Sequence, residues 1–566
     1  MKKPATYVFS ALLLVLGILL LFKLSTVLNR QFDPDELSYL HWAYLLSRGQ
    51  LPYRDFFFYV TPLFPGFLSP LFFLPHSQNT AIVARLVLFG VYLMSLNVLF
   101  SLVKSQTKNI HIALLSVLLF VAFPMTFDKT IEIRPDMVMT LFFLMGTALL
   151  VRNTGTTDQD SPVRPLLSLL VSGVFLSLSF LVMYKIVFAA PALLFLLFLQ
   201  KNIKRSRAFL WFLGGALLPI AVLFLYLLKN NLVALFFNSV IHDAGIVNVG
   251  NSSFPIWMTL SPWPLIYVTG GGWSVPWILN SMIWLLMIPG ILFLYKKNKT
   301  MGIFLGVLLI SAAGFLYLFP KPYVQYFIIP SIIASIGVAS LVTGVSKKIE
   351  IGAITLMSIL LLLSFSMQTR DRAQPMAGNQ EQLAVLTDVL SVIKPDEPVY
   401  DMVGSFVFRP DGYFICCHPY IQFSHLLKRP LPTLTESLIQ TKTKFLVLDQ
   451  KGYVFWIAKP EDLSFLTTHY LPSAYHKIYT LGSRFQCKGG SCIQLNVHGN
   501  AVSGEPTDTL DIVIEERYVL SIAPANQHIT INNDQAINKQ TIRFSPGLYR
   551  FSVPTGVTEF TIQLAR

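Results

Sequence analysis

Long apolar runs separated by short polar connectors fill the first two thirds of the chain. They fall near residues 5–28, 79–103, 110–126, 136–152, 165–182, 186–200, 207–228, 274–295, 302–319, 323–343 and 349–367. A bilayer core takes about 17–25 mostly apolar residues per helix, so the pattern predicts about 11 transmembrane helices. The expected fold class is a mainly α-helical polytopic membrane protein.

The connectors alternate in charge. One set is basic: Lys104 and Lys108; Arg152 and Arg164; Lys201, Lys204, Arg205 and Arg207; Lys296, Lys297 and Lys299; Lys347 and Lys348. The other set holds an acidic stretch at 32–70, then 128–136, 183–185, 229–273, 319–322 and everything after 367. Basic loops stay in the cytoplasm. The N-terminus is therefore expected inside, and the odd number of spans places the C-terminal part outside. The basic, apolar N-terminus could pass for a signal peptide, but its run is long and no small-residue cleavage site precedes Asp33, so it reads as a retained first span.

From about residue 370 the pattern changes. Leu383, Leu386, Val389, Leu390 and Ile393 give residues 381–393 one apolar helical face. Residues 399–403 and 445–448 read as buried strands. From about 493 short alternating segments with Gly, Pro and Asn turns predict an antiparallel β module. The expected domains are a membrane domain at 1–369 with an outer loop at 32–78, an extracytoplasmic α/β domain at 370–492, and a β-rich module at 493–566.

Composition supports this reading. Of 566 residues, 54% are hydrophobic and only 13% charged, against about 25% charged in soluble proteins. The net charge of +14 sits largely in the basic connectors, so a nucleic-acid partner is not expected. All four cysteines lie in the outer part. Cys487 and Cys492, around a Gly-Gly turn, suit a local disulfide in an oxidising compartment. A metal site drawing on Cys416, Cys417 and His418 is disfavoured, because adjacent cysteines rarely both ligate one ion, and no role is assigned to Cys416 and Cys417.

The candidate chemistry clusters on the outer loops. Asp33, Asp35 and Glu36 follow the first span, set beside Tyr39, His41 and Trp42. Pro34 suits the first turn of a helix, which Asp33 would cap, and its apolar residues are available to lie in the membrane interface. Acids at helix starts are favourable whether or not they react. Tyr53, Arg54 and Asp55 come next. The second outer loop supplies Asp128, Lys129, Glu132, Arg134 and Asp136, where Arg134 and Asp136 could equally be an orienting ion pair. Lys185 stands in a three-residue turn, and Lys321 precedes Tyr323 and Tyr326. Such lysines often snorkel. Together, though, these residues put carboxylates able to act as bases or metal ligands on one face with cations able to hold a phosphate. The loop at 229–273 reads either as a flap or as an interfacial segment. His242 there is a candidate metal ligand, and Asn251 opens a glycosylation sequon.

In order and sidedness, these features resemble the GT-C class of membrane glycosyltransferases, in the group of protein O-mannosyltransferases and aminoarabinose transferases that modify lipid A. The matching residues are Pro34, Asp35 and Glu36; Tyr53, Asp55, Pro62 and Leu63; Arg134 and Asp136; Lys185 and Pro191; and the stretch from Lys321 to Pro330. The resemblance implies inverting transfer of a sugar from a polyprenyl-phosphate donor to an acceptor hydroxyl of a glycan, lipid or protein. By that analogy Asp35 is the general base, with Glu36, Asp55 and Asp136 supporting it or holding a divalent ion. Lys185, Arg134, Arg54 and Lys321 face the donor phosphate, and Tyr39, Tyr53, Asp55, Tyr323 and Tyr326 line the substrate. No organic cofactor is called for, and a divalent ion would draw on Asp35, Asp55 and His242. The expected location is a bacterial inner or plasma membrane.

Three other functions fit less well. A lipid-linked oligosaccharide polymerase or ligase would place arginines late in the bundle. A transporter or flippase would place ionisable groups near mid-span and show paired repeats. In an assembly protein, the first-loop acids would only cap.

Overall fold

The structure is a computed structural model that describes residues 3–153, 163–200, 204–243, 275–318, 323–342, 347–372, 378–417, 427, 429–448, 459–475 and 477–566. Lys321, His418, Asn251 and most of the expected flap lie outside the described residues. The chain divides into two compact units. The first comprises Met1–Phe32, Tyr59–Leu68 and Ala81–Asn379, and the second comprises Asp33–Phe58, Ser69–Thr80 and Gln380–Arg566.

The first unit is helical. It contains α1 (Lys3–Asn29), and then, after α2 (Pro34–Ser47) of the second unit, α3 (Leu63–Leu68), α4 (Thr80–Thr107), α5 (Ile110–Val121), α6 (Pro135–Asn153) and α7 (Val163–Val182). Further helices run Ala190–Phe198, Arg205–Lys229, Val275–Lys297, Lys299–Leu318, Ile328–Val342 and Lys347–Arg372. Among the described residues eight helices are long and apolar enough to cross a membrane, and four shorter apolar ones fall at Leu63–Phe73, Ile110–Val121, Tyr184–Phe198 and Gly352–Met367. Three of the four coincide with expected spans. Leu63–Phe73 lies where the sequence suggested loop. The chain is a polytopic integral membrane protein.

Small residues let these helices approach. A Cβ built on Gly173 or Gly215 would strike the backbone of the opposing helix, as would one on Gly290 at its crossing with Gly337. Lipid offers no hydrophobic drive for helix association, so close backbone packing and interhelical hydrogen bonds take its place. Ser172 and Ser179 of α7 supply two such bonds, to the carbonyls of Gly146 (2.8 Å) and Met139 (2.9 Å) on α6.

The end of α1 is also pinned. Arg85 of α4 is buried and donates to the carbonyls of Val27, Arg30 and Gln31, with its guanidinium 3.9 Å from the centre of the Phe32 ring. Asn379 donates to the carbonyls of Asn29 (3.0 Å) and Leu28 (2.7 Å).

In the second unit the helix expected at 381–393 spans Gln380–Val392. The two expected strands appear as β1 (Val399–Tyr400) and β2 (Phe445–Val447), paired in parallel. They continue as β3 (Tyr470–Pro472), β4 (Ile478–Lys488), β5 (Ser491–Leu495), β6 (Thr509–Ile512), β7 (Glu516–Ala523), β8 (His528–Ile531), β9 (Asp534–Ile537), β10 (Thr541–Phe544), β11 (Gly547–Ser552) and β12 (Glu559–Leu564). The long β4 pairs with β2, β3, β5 and β12, so strands on both sides of residue 492 share one eight-stranded sheet. A second sheet runs β6-β11-β8-β9. The helix Gln380–Val392 packs Val385 and Val389 with Phe406, Phe445, Ile478 and Leu564 in one core. Cys487 and Cys492 sit opposite each other in the β4–β5 hairpin and form the expected disulfide. Cys416 and Cys417 also form a disulfide, between adjacent residues.

Candidate functional site

The acidic stretch of the second unit builds α2 as its local chemistry dictates. Asp33 is the N-cap, and its side chain accepts from the backbone N–H of Asp35 at 3.1 Å. The Glu36 carboxylate accepts from the backbone N–H of Asp33 at 2.8 Å, closing a capping box. Pro34 occupies the first turn, where its missing N–H costs nothing. Two of the three acids are thus taken up by the cap. Glu36 is fully buried, whereas Asp35 is half-buried in the first turn.

The placement of α2 differs from the interfacial helix expected. Every residue from Glu36 to Leu45 is buried. An interfacial helix needs one polar face, and here Ser38 and His41 turn inward. Ser38 donates to the carbonyl of Val403 at 2.9 Å. Tyr39 is buried edge-on against Trp42, and Trp42 edge-on against Phe58.

Tyr53 is also buried and holds φ at 68°, a conformation uncommon for a bulky residue. Its N–H donates to the carbonyl of Phe56 (3.1 Å), while Arg429 donates to the carbonyls of Tyr53 and Arg54. Arg54 donates to both oxygens of Asp55, at 2.8 and 3.1 Å. Asp55 also accepts from Leu51 N–H at 2.7 Å. The hydrogen bond from Arg54, helped by that of Leu51, holds the Asp55 carboxyl below its ordinary range against the opposing effect of burial.

In the first unit the loop at 128–136 gathers charge around Glu132, whose side chain is fully buried. Arg30 Nη2 lies 2.9 Å from it, Lys129 Nζ 2.9 Å and Arg134 Nε 3.9 Å. Arg30 also reaches Asp128 at 3.5 Å, and Arg134 reaches Asp136 at 3.5 Å. Asp136 opens α6, where the helix dipole favours a negative charge. Lys185 stands in the short helix Tyr184–Ala189 and donates to the hydroxyl of Tyr326. Tyr323 is exposed and packs edge-on against Tyr326 at 5.8 Å. His242 faces Asp243 at 3.0 Å.

Among the described residues, His41, Cys416 and Cys417 form the one group of three metal-ligating side chains whose donor atoms lie within 4.8 Å of one another. Its chemistry does not suit an ion. The two sulfurs are bonded to each other, and both ring nitrogens of His41 face acceptors. Sequence reading gave no role to Arg30 or Asp411 and named Glu132 only among the loop carboxylates. Arg30 did carry a signal, as a cation ending the first span directly before the acids.

No family model matches the chain, and no curated protein matches it in sequence. Its fold does have solved counterparts. The crystal structure of ArnT from Cupriavidus metallidurans bound to undecaprenyl phosphate matches at TM-score 0.59 and 12% identity, over 83% of this chain and 98% of that one. The apo state of the same ArnT matches at TM-score 0.58 and 12% identity, over 84% and 98%. The S. cerevisiae protein O-mannosyltransferase Pmt1-Pmt2 complex bound to the sugar donor gives a TM-score of 0.31 at 14% identity, over 40% and 36%, which is too low to bear on the fold. At 12% identity the likeness to ArnT is one of fold: a GT-C-like helical membrane part with a β-rich C-terminal part.

Proposed function

We propose that the chain is a membrane glycosyltransferase that moves a sugar from a polyprenyl-phosphate donor to an acceptor hydroxyl on the extracytoplasmic face, with inversion. The acceptor oxygen attacks the anomeric carbon and Asp35 takes its proton. The carbon–oxygen bond to phosphate breaks, and polyprenyl phosphate leaves. Lys185 and Arg134 meet the charge that grows on the leaving phosphate, an electrostatic contribution made without a further proton transfer. Asp136 holds Arg134, and Tyr323 and Tyr326 line the donor. Arg54 and Asp55 are bonded to each other, and Lys321 lies outside the described residues.

The observation that carries this reading is the ArnT-like fold, supported by Lys185 on the Tyr326 hydroxyl and Arg134 beside Asp136 at the start of α6. Asp33 and Glu36 form the capping box of α2 and Asp35 stands in its first turn. The ArnT fold supports the donor class, because ArnT binds undecaprenyl phosphate. The alternating basic connectors support an N-terminus inside and a C-terminal part outside.

To test this, the purified chain in lipid is incubated with a panel of polyprenyl-phosphate sugars, membrane extract supplying acceptors, and released polyprenyl phosphate is followed by mass spectrometry. Release from one donor supports the reading and names the sugar. Intact donors throughout, from folded protein, would move the weight to the polymerase and transporter functions.

A further inference from the structure

His41 is fully buried on α2, six residues after Asp35. Its Nδ1 lies 2.7 Å from the carbonyl oxygen of Val407 and its Nε2 2.7 Å from the carboxylate of Asp411. Carbonyl and carboxylate oxygens only accept, so both ring nitrogens must donate, and a ring with two N–H groups is a cation. The loop that receives it is itself fixed. Asp401 accepts from the backbone N–H groups of Val403 (2.9 Å), Gly404 (2.5 Å) and Ser405 (2.7 Å), and from the Ser405 hydroxyl. Gly404 holds φ at 70°, and a Cβ there would come within 2.9 Å of His41 Cβ and 3.0 Å of Cys417 Sγ. The loop therefore lies hard against the helix.

We propose that His41 is a positioning residue: as a buried imidazolium held by Val407 and Asp411, it locks the helix that carries Asp35 to the loop at 401–411. The role rests on Asp35 being the base, as proposed above. A carboxylate that takes a proton from an acceptor hydroxyl must be held within a fraction of an ångström, and rigid support of this kind supplies that precision. The titratable and charged groups facing the ring are Asp411 and Asp401 on the loop and Tyr44 on its own helix. The Cys416–Cys417 disulfide beside it does not titrate.

The lock is sensitive to pH. Burial pushes the imidazole down, but the charge and hydrogen bond of Asp411, the Val407 carbonyl and the charge of Asp401 outweigh it, and the net shift is upward. A histidine raised above its unfolded value of about 6.5 stabilises fully below that pH, and the stabilisation is lost as pH rises through the folded value. A neutral ring can donate from only one nitrogen, so one contact must fail.

Asp411→Asn separates the alternatives. An asparagine amide can donate to Nε2 of a neutral His41, which keeps both contacts without the charge. Thermal unfolding and transfer kinetics are measured from pH 6 to 10 on the full chain in lipid. Wild type is expected to lose melting temperature and kcat as pH rises through the His41 transition, while Asp411→Asn stays flat there with kcat near the wild-type plateau. Asp411→Ala is expected to lose at least tenfold in kcat with donor KM within twofold. Parallel pH profiles in wild type and Asp411→Asn would overturn the cationic lock. A folded Asp411→Ala with wild-type kcat would overturn the positioning role. A wild type that transfers no sugar removes the proposed reaction and the positioning role with it, and the melting comparison still decides whether the pair is the cationic lock.

Discussion

Glu132→Gln tests whether the buried acid of the loop at 128–136 organises the cations around it. In the wild type its carboxylate accepts from Lys129 Nζ at 3.0 and 2.9 Å and lies 2.9 Å from Arg30 Nη2. Arg134 Nε stands 3.9 Å away. The glutamine keeps the shape but loses the charge, and its amide nitrogen points a donor at donors. Arg30 then keeps Asp128 beside it and Arg134 keeps Asp136. Breaking a buried ion pair on one side costs about 3–5 kcal/mol. Because Lys129 and Arg30 keep about a fifth of their side chains exposed, the lower end, about 3 kcal/mol, is expected. Unfolding of the full chain in mixed micelles, followed by tryptophan fluorescence, gives the value. A cycle with Lys129→Met isolates the pair, with an expected coupling of about 1–3 kcal/mol. A loss below about 1 kcal/mol with no coupling would refute the hub. Donor KM is expected to rise in Glu132→Gln, since Arg134 loses the acidic neighbour at 3.9 Å.

Three further outcomes follow from the same geometry. Glu36→Gln can still accept the Asp33 N–H, so transfer is expected within about threefold of wild type, whereas Glu36→Ala is expected to cost about 0.5–2 kcal/mol of stability in the same unfolding assay. Asp55, whose pKa is lowered in the folded state, contributes stability that is present above its unfolded value near 3.9 and is lost as pH falls through the folded value. With Arg54 54% exposed, the effect is expected to stay below about 1 kcal/mol, read as an acid melting slope that Asp55→Asn abolishes. Arg85→Met strands the carbonyls of Val27, Arg30 and Gln31 that the guanidinium now satisfies, and a loss of about 3 kcal/mol or more is expected, visible as a lower yield of folded protein and an earlier unfolding midpoint.

Local chemistry was legible in the sequence, and long-range pairing was not. A spanning helix is written in twenty adjacent residues, so the membrane part could be read directly. The start of α2 could be read because Asp33, Pro34 and Glu36 act on one helical turn. The Cys487–Cys492 disulfide could be read because a two-glycine turn brings the ends together. His41 and Asp411, by contrast, are 370 residues apart, and no spacing pattern connects them. Arg30 and Glu132 likewise meet only after α1, α4 and α5 have packed. Lys23 shows the same limit: it sits fully buried inside an apolar run, its ammonium 4.6 Å from the rings of Tyr92 and Phe127. The hub role of β4 escaped because its partners run from β2 to β12, a choice set by the sheet as a whole.

The central claim is that Asp35 takes the proton of the acceptor hydroxyl while a polyprenyl phosphate leaves. Single-turnover release of polyprenyl phosphate, measured on wild type and folded Asp35→Asn in lipid with the same donor and acceptor, tests it most directly. Loss of a general base is expected to slow release by about 10²–10⁴-fold, with donor binding unchanged. Release from Asp35→Asn at the wild-type rate would contradict it.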